Sequence, residues 1–470
     1  MATDQVQPIA ATPLFGGGSR ELEPSEPTSA ALAGEVLPFS LIDEAVYLLD
    51  DEVEPWSVQI ELGVPGRLDE RRLRSALAAA ARRHPLARVR KAPRRPGERR
   101  FRWEVTSHFD LDPLRVVDCP DEEALGAIRT KLHSLQIPLA ESPPFRLRLA
   151  HHPGGDLLML NMSHVAADAF GGLRLLTSLA RAYAGQSDPL PDLDRVAIRN
   201  LSALLGAQDL PTRLRRYMTI LEKLRDAVAT PARIARDSGT TMAGYGFHQM
   251  QLTPDQTQAI TARQGPGTVN DSLLAALNLA IQAWNDEHGL PTDRVSVIMP
   301  VNLRPKTWRN EMVGNFSLNV RVSTSPQDRS SPQAVLPALV RQTQRIKKGR
   351  TAGALIEVLR RLPSLPTRVK RLVMCTLLFP GQQLVDTALL SNLGKLDEVP
   401  SFGGAAGEVS TIWFSAPAKM PQGLSIGVAT VAGRLDLMFR YRHALFGRDA
   451  VRRFGDLYLE KLSLIVAGQP

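Results

Sequence analysis

The chain has 470 residues, 43% hydrophobic and 22% charged, with a formal charge of +9 and two cysteines, Cys119 and Cys375, in unrelated contexts. That length allows one large or two packed units, and the cysteines exclude a disulfide framework; no metal is expected. No apolar run reaches the ~20 residues of a bilayer span, and no basic start with an apolar core opens the chain, so a reducing cytoplasmic setting is expected.

Residues 1–34 are rich in Pro, Gly, Ser, Ala and Glu without periodicity and read as a flexible tail. Order is expected from Leu37-Pro38-Phe39-Ser40 onward. Leu73, Leu77, Ala80 and Ala81 repeat on one face of a helix for which Asp69 is the N-cap. Arg88-Val89-Arg90 and Phe101-Arg102-Trp103-Glu104-Val105, parted by a Pro- and Gly-containing turn, read as a hairpin. The run 82–102 holds nine arginines and Lys91 against one acid, Glu98. Such a face steers anions: an acidic carrier protein, the phosphates of coenzyme A, or only water. No nucleic-acid-binding motif accompanies it, so nucleic acid is not an expected partner.

The most informative segment follows. A strand pattern, Leu157 to Met162, runs into Ser163-His164-Val165-Ala166-Ala167-Asp168-Ala169, and an apolar helix pattern (Leu173, Leu176, Ala180, Tyr183) leaves it. A histidine on a turn between a buried strand and a helix is both rigid and reachable. Its imidazole titrates near neutrality, which suits a general base; the duller reading is a structural turn residue. Asp168 either orients His164 or holds the loop through an ion pair.

Prolines at 189, 191 and 211 interrupt the next stretch, where Leu214, Met218, Leu221, Leu224 and Val228 stripe a basic helix. Such a helix lies on a membrane surface or packs between lobes, and packing is the expectation. Strand-like Phe247 to Leu252 opens a second half, followed by a helix from about Asn270. Asp271-Ser272-Leu273 within it reads as a helix N-terminus, not a carrier-protein attachment site. Next come a buried strand, Val295 to Arg304, and the segment Val313 to Val320. Near the end, Gly423 to Val428 and Leu435 to Tyr441 flank Ala432-Gly433-Arg434, a hairpin signal. A final helix carries Val451, Phe454, Tyr458, Leu462 and Ile465. Strands alternating with helices predict α/β (α+β) two-layer sandwiches.

These segments, in this order, resemble the condensation-domain superfamily. It includes chloramphenicol acetyltransferases, peptide-synthetase condensation domains, and polyketide-associated and wax-ester acyltransferases. The family motif is His-His-x-x-x-Asp-Gly; here Ser163 replaces the first His and Ala169 the Gly, while His164 and Asp168 match. The segments from Pro300 to Arg304, Gly314-Asn315, and Ser391-Asn392-Leu393-Gly394 match in order and rough spacing.

The resemblance implies two chloramphenicol-acetyltransferase-like lobes forming a V with a central channel. They divide as tail 1–34, first lobe 35–205, basic connection 206–245 and second lobe 246–470. It implies that His164 is the base and that Asp168 is the structural partner of an arginine, for which Arg304 is the candidate. Acyl transfer also needs a donor to the oxyanion: Asn315, Ser391 and Asn392, at the polar ends of apolar segments, are candidates for that or a substrate contact, strand or turn capping is the duller reading of each, and backbone N–H groups are the alternative donors. The expected reaction is acyl transfer from a coenzyme A or acyl-carrier-protein thioester to a hydroxyl, in secondary-metabolite or lipid biosynthesis. The runner-up is amide formation with an amine. A non-catalytic, carrier-protein-binding member is the alternative from another class. No cofactor is expected, since the pantetheine arm belongs to the substrate.

Overall fold

The computed structural model describes residues 34–468 apart from 51–54, 96, 191–198, 202–229 (save 211, 214 and 218), 238–243, 264, 305–310, 350–358, 361–363, 374–385 and 397. Nearly all of the N-terminal tail, much of the basic stretch 211–236, and Cys375 lie outside the described residues.

Strand Ser57–Val64 is buried at every position. It pairs antiparallel with Gly155–Ser163, Ser57 opposite Ser163 and Val64 opposite Asp156. A strand covered on both faces reads as a continuous apolar run, which is how Leu157 to Met162 reads. Phe145–His152 and then Leu114–Asp118 extend the sheet on one side. Thr411–Ser415 closes the other edge, completing five strands.

A second sheet has six strands in the order Ser317–Thr324, Val295–Asn302, Ala388–Lys395, Leu424–Val431, Arg434–Arg442, Tyr245–Gln251. Its hairpin turns through Ala432 at φ 47° and Gly433 at φ 75°, the two positive angles of a tight right-twisting turn. Helices Val269–Glu287 and Arg448–Ala467 pack on each other and bury Leu273, Leu277, Trp284, Phe454 and Tyr458 over this sheet. Helix Ala169–Ala184 buries Leu175, Leu176 and Leu179 against the first sheet.

Thr411–Ser415 is where the structure departs from a simple division at 245/246. That cut gives the strand to the second lobe, but the chain returns it to the first sheet, Thr411 opposite Gly63 and Ser415 opposite Gln59. The crossing is tight: a Cβ on Gly427, in the second sheet, would meet the Phe414 carbonyl oxygen at 1.7 Å. Burial propensity gives a strand no label for the sheet whose edge it fills. The first core cluster accordingly mixes both halves of the chain, joining Ile60, Leu160 and Leu176 to Phe316, Leu393, Ile412 and Phe414.

Candidate active site

His164 follows the last residue of strand Gly155–Ser163 and precedes helix Ala169–Ala184. Its backbone N–H donates to the Trp56 carbonyl at 2.9 Å, so the loop continues the pairing of its strand with the neighbour. The Asn315 amide donates to the His164 carbonyl at 2.6 Å. The histidine is thus held through its main chain from two sides, and the residue as a whole is partly exposed. The ring lies 6.4 Å from the Trp56 indole, centroid to centroid.

Asp168 is buried and works as a hub. One carboxylate oxygen accepts from Gly171 N–H at 2.9 Å, capping the helix; its own ψ of −176° is extended, outside the helical turn it starts. The other oxygen accepts from Arg304 Nη1 at 2.7 Å, Phe316 N–H at 2.8 Å and Ser317 Oγ at 3.1 Å. Arg304 is buried in turn. Its Nη2 donates to the carbonyls of Gly314 at 2.9 Å and Met312 at 3.2 Å, and its guanidinium stacks 4.5 Å from the Phe316 ring. Asp168 N–H also donates to the Gly314 carbonyl at 3.1 Å. The His164 loop, Asn302 to Arg304 and residues 312–317 are therefore one hydrogen-bonded block.

The two departures from the family motif have simple physical outcomes. Ala169 is the first residue of the helix, where a side chain is tolerated and no glycine is required. Ser163 is buried, and its hydroxyl accepts from Val165 N–H at 3.3 Å, tightening the turn under His164. The glycine demand sits two residues later: a Cβ on Gly171 would meet the Gly314 backbone at 2.8–2.9 Å.

Electrostatics separate the two titratable groups. Burial pushes the His164 imidazole below its ordinary pKa; Asp168, the histidine's own carbonyl and Asp43 pull it back without overcoming burial. Burial alone would raise Asp168, but the Arg304 guanidinium and the donors from Phe316 and Gly171 outweigh it, and its carboxyl lies below the ordinary range. At neutral pH the site holds a neutral imidazole above a carboxylate satisfied by an arginine. The carboxylate does not hydrogen-bond the histidine, so this is not a charge-relay arrangement.

Among the described residues, enclosed polar atoms around this loop with no hydrogen-bond partner include His164 Nδ1, Trp56 Nε1, Asn302 Nδ2, Arg304 Nε and Asn315 Oδ1. A cavity of about 370 Å³ adjoins the first turns of the helix; Phe170, Leu173 and Thr177 line one wall, and Leu393, Lys395 and Leu396 another.

His164, Asp168, Arg304 and Asn315 are thus brought together. Asn315 spends its amide N–H on the His164 carbonyl and acts as a positioning residue. Ser391 and Asn392 lie on strand Ala388–Lys395 of the second sheet, just before cavity-lining Leu393. Asn392 accepts from Gly394 N–H at 2.8 Å, closing a turn at Gly394, whose φ is 76°. Sequence reasoning passed over Trp56, Phe316 and Ser317. Phe316 and Ser317 stand inside the strand-like segment Val313 to Val320, whereas Trp56, ahead of its strand, gives no periodic signal. Among the described residues no group of His, Cys, Asp and Glu is arranged to hold a metal.

The sequence pattern of the Condensation domain family matches residues 45–468. The chain belongs to the condensation-domain family. It is 34% identical over 432 residues to Rv2305, an uncharacterized protein of Mycobacterium tuberculosis, covering 91% of this chain and 99% of the relative. A more distant M. tuberculosis relative, Rv2484c, is provisionally named a diacylglycerol O-acyltransferase; it is 25% identical over 241 residues, 43% of this chain and 48% of its own. Among solved structures, the starter condensation domain of rhizomide synthetase, in complex with C8-CoA and Leu-SNAC, superposes with a TM-score of 0.66 at 14% identity. That superposition covers 95% of this chain and 98% of the other, and it bears on the fold. Family and fold agree with an acyl or condensation transferase built from mixed α/β sheets.

Proposed function

We propose that this condensation-domain protein transfers an acyl group from a thioester, on coenzyme A or on an acyl-carrier protein, to a hydroxyl acceptor, with His164 as general base. The observation that carries the reading is the partly exposed His164, its imidazole neutral at pH 7, on a loop held through its main chain and braced by the buried Asp168–Arg304 pair. His164 Nε2 takes the acceptor's proton as its oxygen attacks the thioester carbonyl carbon. The tetrahedral intermediate then collapses, the carbon–sulfur bond breaks, and the imidazolium returns its proton to the leaving thiolate. General-base catalysis of this kind contributes ~10²–10⁴-fold. Asp168 and Arg304 take no part in proton transfer and hold the loop. The oxyanion falls to Ser391, the Asn392 amide or backbone N–H groups.

Two further observations support the reading. A distant relative carries an O-acyltransferase name, and a structure of the same fold holds an acyl-coenzyme A. The chemistry would belong to secondary-metabolite or lipid biosynthesis.

The test is product identification. Purified protein is incubated with acyl thioesters of graded chain length, on coenzyme A and on a carrier protein, together with mixed alcohols and amines, and the products are weighed by mass spectrometry. An ester is expected. An amide would make the chain a free-standing condensation enzyme. No product from folded protein with any donor would favour a carrier-binding member without catalysis.

A further inference from the structure

The first sheet ends on strand Leu114–Asp118, which pairs in parallel with Phe145–His152 and sets Arg115 directly opposite Arg148. Side chains alternate across a strand: Phe145, Leu147 and Leu149 are buried on one face, which leaves Arg146 and Arg148 half-buried on the other. Arg115 shares that face, because directly opposite residues of paired strands lie on one side of the sheet. Neighbouring strands lie about 4.8 Å apart and residues two apart on a strand about 6.6 Å. The three arginines therefore spring from one small patch.

Such a patch is unfavourable in itself, since like charges directly opposite destabilise a sheet. Other surface arginines have acids: Arg74 pairs with Glu70 and Asp112, and Arg90 with Glu104 and Asp110. Here Arg146 Nη1 donates to the carbonyls of Phe145 at 2.8 Å and Pro143 at 3.0 Å, and Glu141 is the acid that acts on it. Among the described residues the side chains of Arg115 and Arg148 form neither a hydrogen bond nor an ion pair. Burial, and after it the charge of Arg115, pushes the Arg148 guanidinium below its ordinary pKa.

Charge on an edge strand blocks unwanted strand pairing, and Arg115 alone would serve that end. Arg146 and Arg148 are one strand further in, where there is no edge to guard. Half-buried guanidinium groups with N–H donors to spare match the oxygens of a phosphate group in charge and in fork geometry.

We propose that Arg115, Arg146 and Arg148 form a phosphate-binding site for a small molecule carrying one or two phosphate groups. The inference does not rest on the reaction at His164.

The test is calorimetric titration of the full chain with inorganic pyrophosphate and, separately, with coenzyme A. Pyrophosphate should bind the wild type and weaken about ten-fold or more in Arg115→Ala and in Arg148→Met. An equal loss for coenzyme A would assign the phosphate to that molecule; loss for pyrophosphate alone would assign it to a free anion. Arg148→Met keeps an unbranched stem and removes the repulsion from Arg115. Without pyrophosphate it should therefore melt no lower than the wild type, and it should lack the rise in melting temperature that pyrophosphate gives the wild type. No binding of pyrophosphate by the wild type, or full binding by both variants, overturns the proposal. So does an equal loss in Arg452→Glu, an exposed arginine on the last helix, because the binding would then follow overall charge. An Arg148→Met protein that melts well below the wild type would make that arginine structural and also overturn it.

Discussion

At the scale of single residues, the site divides labour between a base that titrates and a pair that does not. His164 lies below the ordinary histidine pKa because it is buried. A base must be unprotonated to act, so kcat/KM should rise with pH along an acid limb centred below 6.5 and then stay level through neutrality. A pH–rate profile with its midpoint above 6.5 would contradict that placement. The Asp168–Arg304 pair is buried on both sides at 2.7 Å. Removing one partner strands a charge, so Asp168→Ala should cost roughly 3–5 kcal/mol in denaturant unfolding as well as activity. Because the folded Asp168 pKa is depressed, its stabilisation is present above the unfolded value of 3.8 and is lost as pH falls through the lower folded value. Exchanging the two residues should recover part of the stability lost in either single change; strictly additive losses would show that the contact does not couple them.

Among elements, strand Thr411–Ser415 does the joining. Its Ile412 N–H donates to Asp436 Oδ2 at 3.3 Å, and Gln251 donates to the other oxygen at 2.9 Å, so a carboxyl of the second sheet sits beside the strand that completes the first. Burial raises the Asp436 pKa to about 6, against which Gln251, Ile412 and Arg434 are insufficient. A carboxyl whose folded pKa is raised destabilises the fold once ionised. The penalty grows from about pH 4 and is complete above about pH 6. Asp436→Asn should therefore stabilise the protein at pH 7 by roughly 2–3 kcal/mol and by little at pH 4. Equal melting shifts at both pH values would refute this account. Elements of this kind mark the limit of what was legible. Helices at 70–83, 169–184, 269–287 and 448–467 announced themselves through apolar spacing, and the 424–442 hairpin through its Ala432-Gly433 turn. The partner sheet of 411–415 depends on long-range closure, which local spacing does not encode. Within the site, His164 and Asp168 were legible because one turn must hold both. Trp56 was not, because it contributes a carbonyl that any residue could supply.

Over the whole molecule, the two large sheets share one fate. The first core cluster contains side chains from both halves, and the His164 loop is bonded to Arg304 and to residues 314–317. Despite two sheets and two principal cores, thermal unfolding should appear as a single cooperative transition, with calorimetric and van't Hoff enthalpies in agreement. Two resolved transitions would mean that the crossing strand and the Asp168 hub do not couple the halves. Gly427→Ala, whose Cβ would strike the Phe414 carbonyl, should lower that one transition and not split it. Among the described residues no helix is long and apolar enough to cross a membrane.

The most direct test of the central claim is release of free thiol from an acyl thioester, with and without an alcohol acceptor, by wild type and His164→Ala. The account predicts acceptor-dependent release by the wild type that falls about 10²–10⁴-fold in a folded His164→Ala protein. Undiminished release by the variant would contradict His164 as the base.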